Sequence, residues 1–153
     1  MIRRPPRSTQ SRSSAASDVY KRQVSVLAIN RASAAYATVV NTIPVGAEPY
    51  GLALTPLGRK LYVANSRSNT VSVIDTTSNY SVRTISNVGF EPRGIAITNS
   101  GSTDDSQETV FVTQFLSLPV EGKIDGADDA KAGHVTVISA ATDTVLSLSL
   151  IHI

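Results

Sequence analysis

The sequence EPYGLALT at residues 48–55 returns as EPRGIAIT at residues 91–98, and this repeat decides the fold. A second short stretch recurs around it: VSVL at 24–27 returns as VSVI at 71–74 and as VTVI at 135–138. Equivalent segments lie 43 to 64 residues apart, and the longest interval contains two insertions. Repetition at this spacing indicates that one small structural unit is used several times.

Within the unit that begins at residue 45, turn residues separate four short runs of apolar, β-branched and aromatic residues. These runs are Tyr50–Thr55, Lys60–Asn65, Val71–Asp75 and Ser81–Ser86. In the first run the small residues Gly51 and Ala53 share one face, so that face can approach a neighbouring sheet closely. Four strands in about 40 to 45 residues is typical of a β-propeller blade. We therefore predict an all-β fold: a partial β-propeller of consecutive four-stranded antiparallel blades, open and not closed into a ring.

The repeat resembles that of YVTN-type β-propellers, which occur in surface-layer and other extracytoplasmic proteins. The residues that carry the resemblance are Pro49, Gly51, Tyr62, Val63, Asn65, Asp75, Pro92 and Gly94. The second unit departs from the pattern, because FVTQ at 111–114 replaces the signature tetrapeptide. The resemblance implies a noncatalytic scaffold or binding module in the periplasm or at the cell surface. Other propellers resemble lactonases and quinone- or metal-dependent oxidoreductases, so a fragment of such an enzyme, with its catalytic residues in other blades, is the alternative.

Both ends of the chain match translated sequencing-adaptor DNA. MIRRPPRST at 1–9 and SSAASDVYKRQ at 13–23 match the translations of two library adaptors. LSLIHI at 148–153 is the translation of the reverse complement of the codons assigned to DVYKRQ. The basic charge of residues 1–23 is therefore no sign of a nucleic-acid-binding arm, and we expect no nucleic-acid partner.

The repeats and the adaptor matches divide the chain into five parts. Residues 1–23 are adaptor-derived and expected to be disordered, 24–44 supply the last strands of one blade, 45–87 form a complete blade, 88–147 form a blade with insertions at 102–107 and 116–133, and 148–153 are an adaptor-derived tail. Propellers close with 4 to 8 blades, and fewer than three are present. The expected partners are the remaining blades of the same ring. No apolar run approaches the roughly 20 residues of a membrane span.

The composition restricts the chemistry that the chain can perform. It contains no Cys, which excludes disulfides, thiolate metal sites and cysteine nucleophiles. We identify no catalytic and no cofactor-binding residue. His134 is interpreted as a structural or exposed histidine, and Asp75 as the cap of a turn.

The insertion at 116–133 is the most unusual feature, because four carboxylates lie within nine of its residues. They are Glu121, Asp125, Asp128 and Asp129. Carboxylate oxygens are the ligands that Ca²⁺ prefers, so the insertion is a candidate calcium site. The spacing lacks the alternation of an EF-hand loop, and a solvated loop is the alternative. Propeller topology would place the insertion on the same rim as Glu48 and Glu91, where ligands commonly bind.

Because each blade of a propeller is covered on both faces by its neighbours, residues 24–147 alone would expose apolar sheet faces. We expect this segment, expressed by itself, to aggregate or to melt without a cooperative transition. Calorimetry and light scattering test this expectation, and a sharp, reversible melt of a monomer would contradict it.

Overall fold

The computed structural model describes residues 17–18, 22–32, 34–124 and 130–152. Within these ranges the chain forms twelve β-strands and one 3-10 turn, and no α-helix. The strands are β1 (Ser17–Asp18), β2 (Gln23–Leu27), β3 (Val39–Pro44), β4 (Pro49–Leu54), β5 (Lys60–Asn65), β6 (Thr70–Asp75), β7 (Ser81–Ile85), β8 (Pro92–Ile97), β9 (Thr109–Gln114), β10 (Leu118–Pro119), β11 (Lys131–Ser139) and β12 (Thr144–His152), and the 3-10 turn is Asp105–Gln107. No helix in the described part could cross a membrane.

The strands form three separate antiparallel sheets, none of them closed. The first sheet has the order β1-β2-β3, and the middle sheet has the order β4-β5-β6-β7. In the last sheet β9 lies between β8 and β11, and β12 covers the other edge of β11. The short β10 pairs with the start of β11, on the same edge as β9. The prediction of an all-β chain with antiparallel sheets is confirmed, although only the middle sheet has four strands and the others have three and five.

Strand pairing includes residues that the sequence assigns to adaptor DNA at both ends. Ser17 pairs with Val24, and β12 continues through His152, which pairs with Ala132. The expectation of disorder over residues 1–23 therefore does not describe 17–18 and 23, and the last sheet has a complete fourth strand where only its start was expected. The fourth strand of the last sheet is complete because β11 is nine residues long and offers its unpaired backbone donors and acceptors to the chain that follows.

The middle sheet is covered on both faces. Tyr62 points to the last sheet, whereas its neighbours Leu61 and Val63 point to the first sheet. The cluster between the middle and last sheets contains Tyr62, Val71, Val73, Ile85, Val88, Val110, Val112, Ile138 and Ala140. The cluster between the first and middle sheets contains Val24, Ile43, Leu61, Val63 and Ile74. β5 is consequently buried along almost its whole length, as expected for a strand between two apolar layers.

The repeat in the sequence is also a repeat of the backbone. Glu48 and Glu91 have φ angles of +52° and +45°, a left-handed conformation that is unusual for residues with a side chain. The carbonyl of Glu48 accepts a hydrogen bond from Ser66 N (2.9 Å), and the carbonyl of Glu91 accepts the equivalent bond from Phe115 N (3.0 Å). Both EPxG segments also interrupt the strand register immediately after their proline. The two units thus share their detailed geometry as well as their strand order.

Gly51 allows β4 and β8, the first strands of two successive sheets, to lie in direct contact. A β-carbon on Gly51 would lie 2.1 Å from the carbonyl oxygen of Arg93, a distance that no real side chain tolerates. At Gly94, the equivalent position in the next unit, the closest atom is the Thr113 side-chain hydroxyl oxygen, at 2.5 Å. The close approach that the small residues of β4 predicted is therefore confirmed at Gly51.

We expect Gly51→Ala to destabilise the contact between β4 and β8 by about 1–3 kcal/mol, because the added methyl meets backbone that cannot rotate away. Gly94→Ala is the matched control, since the Thr113 hydroxyl can move by rotation about its side-chain bond. Amide hydrogen exchange in β4 and β8 measures the difference. Equal loss of protection in the two variants would contradict the proposed role of Gly51.

Candidate functional site

The repeat places Tyr50 and Arg93 at equivalent positions at the start of β4 and β8, so that their side chains meet on one rim of the sheets. The guanidinium carbon of Arg93 lies 4.5 Å from the centre of the Tyr50 ring and 3.5 Å from the centre of the Phe115 ring. Phe115 follows β9, and its backbone N–H donates to the carbonyl of Glu91. Two aromatic rings from two sheets therefore hold one arginine through cation–π contacts.

This rim exposes more aromatic surface than a packed core would leave open. Tyr50, Phe90 and Phe115 each expose half or more of their surface. A shallow cavity of about 280 Å³ lies beside the Phe90 ring. It is lined by Ser66, Arg67, Asn69, Phe90, Glu91, Leu116 and Leu118. Phe115 connects the two features, because its ring contacts Arg93 while the next residue lines the cavity.

The charged groups of the rim differ in whether they have partners. Arg67 lies 3.6 Å from the carboxylate of Glu48 in an exposed, weak ion pair. Glu91 is positioned through its backbone N–H, which donates to the side-chain oxygen of Asn69 (2.8 Å). Among the described residues, no carboxylate or carbonyl accepts a hydrogen bond from Arg93, and its buried Nε has no partner. Arg93 is thus a fixed cation with unused N–H donors.

The insertion reaches this rim, as the topology predicted. Leu116 and Leu118 line the same cavity as Glu91. Glu121 is exposed in the turn after β10, whereas Asp125, Asp128 and Asp129 lie outside the described residues. In the part of the chain that the structure describes, no three His, Asp or Glu side chains come together as a metal site. The calcium site therefore stays a prediction.

The repeat-signature residues have structural positions in the described part of the chain. Asn65 is fully buried, donates to the hydroxyls of Thr70 (3.1 Å) and Ser72 (2.9 Å), and packs so tightly that a β-carbon on Gly46 would lie 2.6 Å from it. Pro49, Tyr62 and Val63 are buried, and Pro92 is buried in the next unit. These positions shape the sheets and are not exposed to a ligand.

Asp75 caps the turn between β6 and β7, as predicted. Its carboxylate accepts hydrogen bonds from the backbone N–H groups of Thr77 (2.8 Å) and Ser78 (3.1 Å) and from the Thr77 hydroxyl (2.7 Å). The hydroxyl of Thr77, followed by its N–H, lowers the pKa of this carboxyl below its usual range. His134 lies within β11, half-buried, and its buried Nδ1 has no partner among the described residues.

At the opposite end of the sheets Asp143 is a buried carboxylate that joins the last sheet to the middle sheet. It accepts from Lys60 Nζ (2.8 Å) and the Tyr62 hydroxyl (2.6 Å), and Arg83 approaches its other oxygen at 3.3 Å. Lys60 Nζ also donates to the carbonyl of Ala140 (2.8 Å). Burial, and then the hydrogen bond to Asp143, raise the pKa of Tyr62 far above its usual value, so the hydroxyl remains a donor. A polar cleft of about 400 Å³ lies beside the group, but both cations are already paired. We interpret this cluster as structural.

A second carboxylate, Asp105, joins the same two sheets from the insertion at 102–107. It accepts hydrogen bonds from the Thr55 hydroxyl (2.6 Å) and from the backbone N–H groups of Leu57 (2.9 Å) and Arg59 (3.3 Å), all in the turn between β4 and β5. Although burial alone would raise the pKa of Asp105, these hydrogen bonds lower it below its usual value. The insertion is therefore a connection between sheets as well as a surface loop.

Tyr50, Arg93 and Phe115 were not predicted from the sequence to be members of one site. A signal was present, because Tyr50 and Arg93 occupy the variable position of the repeated EPxG segment. Equivalent positions in adjacent repeats lie side by side. A position whose residue type differs between the repeats is therefore a candidate for a surface that the two repeats share. Phe115 gave no such signal, since it follows the altered tetrapeptide at 111–114.

Comparison with known proteins gives distant structural similarity. The chain is similar to hydrazine synthase of Kuenenia stuttgartiensis, with 22% identity, a TM-score of 0.43, and coverage of 86% of this chain and 44% of that one. It is also similar to a functionally unknown protein from Desulfotomaculum acetoxidans DSM 771, with 16% identity, a TM-score of 0.45, and coverage of 86% and 55%. The chain thus spans about half the length of these proteins. No family model and no curated protein matches it.

The lowered pKa of Asp105 makes its contact with the middle sheet sensitive to acid. A carboxylate with a depressed pKa stabilises the folded form above the pKa of the unfolded chain, about 3.9, and this contribution is lost as the pH falls further. We expect the amides of Leu57 and Arg59 to be protected against hydrogen exchange at about pH 5 and to lose protection, corrected for the intrinsic rate, as the pH falls progressively below about 3.9. In Asp105→Asn the same amides should be weakly protected throughout this range.

Asp104→Asn is the control for this measurement. Asp104 also has a lowered pKa, through hydrogen bonds from the hydroxyl and backbone N–H of Ser106, but it does not contact the middle sheet through them. Protection of Leu57 and Arg59 should follow the wild-type profile in this variant. If Asp105→Asn did so too, Asp105 would not be the group that titrates.

Proposed function

We propose that this chain is part of a larger β-propeller that serves as a noncatalytic binding scaffold, of the kind that occurs in surface-layer and other extracytoplasmic proteins. The observation that carries the proposal is the contrast between Tyr62 and Phe111, which occupy equivalent positions in the middle and last sheets. Tyr62 is 0% exposed because the last sheet covers it, whereas Phe111 is 37% exposed. The same aromatic position is thus a core residue in one unit and a surface residue in the next.

Neighbouring positions support this comparison. Val71 and Val73 on β6 are buried against the last sheet. Their equivalents on β11, Val135 and Val137, are only half-buried, and Val137 pairs directly with Phe111. The outer face of the last sheet therefore repeats the apolar pattern that the middle sheet uses to pack. Covering this face with a further unit of the same kind would be more favourable than leaving it in water, since full burial of an apolar side chain stabilises by about 1.5–3 kcal/mol.

The rim supports the binding part of the proposal. Tyr50, Phe90 and Phe115 present half-exposed rings, of which Phe90 lines a cavity, and half-exposed aromatic surface is typical of recognition sites. The extracytoplasmic location is supported by the resemblance of the repeat to YVTN-type proteins. We expect Tyr50 and Arg93, at the variable position of the EPxG segment, to determine which ligand this surface binds.

The absence of cysteine from the sequence permits a direct test of the missing neighbour. Thr113→Cys would place one thiol on the outer face of the last sheet, where Thr113 is exposed and pairs with Val135. We expect this thiol to react rapidly with a disulfide reagent in the present chain. In a chain extended by the sequence that follows in the source gene, we expect the reaction to slow by at least 10-fold, and the thermal transition to become cooperative.

Ser78→Cys, in the exposed turn between β6 and β7, is the matched control and should react at the same rate in both chains. An extension without further repeats, or one that leaves Thr113→Cys fully reactive, would overturn the proposed propeller. Several inward-facing His, Arg or acidic residues in the added units would instead favour a propeller enzyme over a noncatalytic scaffold.

A further inference from the structure

We propose that Arg93, held between Tyr50 and Phe115, is a binding site for a carboxylate group attached to an apolar body. The inference rests on the proposed function as a binding scaffold and specifies the ligand of that scaffold. The guanidinium carbon of Arg93 lies 3.5 Å from the centre of the Phe115 ring and 4.5 Å from the centre of the Tyr50 ring. A guanidinium that stacks on rings through its flat surface keeps its N–H donors at its edge, in the fork that matches a carboxylate.

The donors of Arg93 are unused in the described structure. The buried Nε has no partner, and no hydrogen bond or ion pair joins the guanidinium to another described residue. Three other basic side chains differ in this respect: Lys60 and Arg83 contact Asp143, and Arg67 contacts Glu48. The buried Nε is closed to an outside acceptor, so the donors available to a ligand are the terminal amino groups, which no described residue engages. Of the two arginines on this rim, Arg93 is therefore the one without an acidic partner.

The surrounding charges select among anions. Glu91 lines the adjacent cavity, and Glu48 lies on the same rim with its carboxylate near Arg67. Because both glutamates lie near the two arginines, a doubly charged phosphate would meet more repulsion here than a singly charged carboxylate. A singly charged carboxylate needs only the one unpaired arginine.

The surrounding apolar groups select the body of the ligand. Phe90 and Leu116, both about half-exposed, line the cavity of about 280 Å³, and Leu116 is the residue that follows Phe115 in the chain. This volume suits an aliphatic or aromatic side chain and is at the small end for a ligand pocket. The combination fits the carboxylate end of a peptide or an acylated amino acid whose side chain is apolar.

The probe is N-acetyl-L-leucine, and N-acetyl-L-leucine amide is its neutral counterpart with the same apolar body. Calorimetric titration is performed on the chain extended from the source gene, or on the present chain if that chain alone melts cooperatively. We expect the carboxylate to bind at least 10-fold more tightly than the amide. Arg93→Gln should remove that preference, and Arg93→Lys should retain part of it because a point charge replaces the fork.

Lys131→Gln is the matched control, since Lys131 is an exposed cation of the last sheet that neither lines the cavity nor contacts the rings. It should leave the preference for the carboxylate within about 2-fold of wild type. Equal weakening in Arg93→Gln and Lys131→Gln would overturn the site, because it would show nonspecific attraction to charge. Equal binding of acid and amide, or no binding of either, would overturn it as well.

Failure of this site and failure of the proposed scaffold give different results. Loss of the carboxylate preference in a chain whose Thr113→Cys thiol is protected by added repeats would reject the ligand and leave the propeller intact. Phe115→Leu adds a further readout: it keeps the guanidinium but removes one ring, and we expect weaker binding of the carboxylate with unchanged protection at Thr113→Cys.

Discussion

Contact between the faces of successive sheets is the constraint on which the rest of this structure depends. A four-stranded sheet with apolar side chains on both faces cannot be stable in water unless each face is covered, and the middle sheet meets this requirement through the first and last sheets. The contact needs more than apolar side chains, because β4 and β8 approach until a single methyl group on Gly51 would collide with backbone. The rim residues Tyr50 and Arg93 meet because these two strands are so close.

The strands and their order could be predicted from the sequence because the signals were local and repeated. β5 matches its predicted bounds, and the other strands of the middle sheet begin and end within one residue of theirs. The alternation of small and large residues also predicted which face of β4 would be approached. The turn cap at Asp75 followed from the usual hydrogen bonding of an aspartate at a strand end.

The site was not predictable to the same degree, for a physical reason. Arg93 acquires its surroundings from β4 and from the segment after β9, and such contacts between distant segments leave no periodic trace in a sequence. The acidic insertion attracted attention because four carboxylates lie within nine of its residues, whereas nothing in the sequence around Asp105 or Asp143 indicates that these two residues join two sheets. The strand pairing of residues 148–152 was not predicted either. It forms because the long β11 offers unpaired backbone donors and acceptors to the residues that follow it, whatever their side chains.

Asp105 has a consequence for how similar units can be told apart. Repeated sheets with near-identical faces could in principle stack in the wrong sequence or exchange places with those of another molecule. A carboxylate carried by one unit, which is satisfied only by a hydroxyl and two amides at a defined turn of the preceding unit, would be buried without partners against any other neighbour. A single polar residue in an insertion thus specifies which unit packs next to which, and it disfavours assembly of similar repeated units in the wrong order.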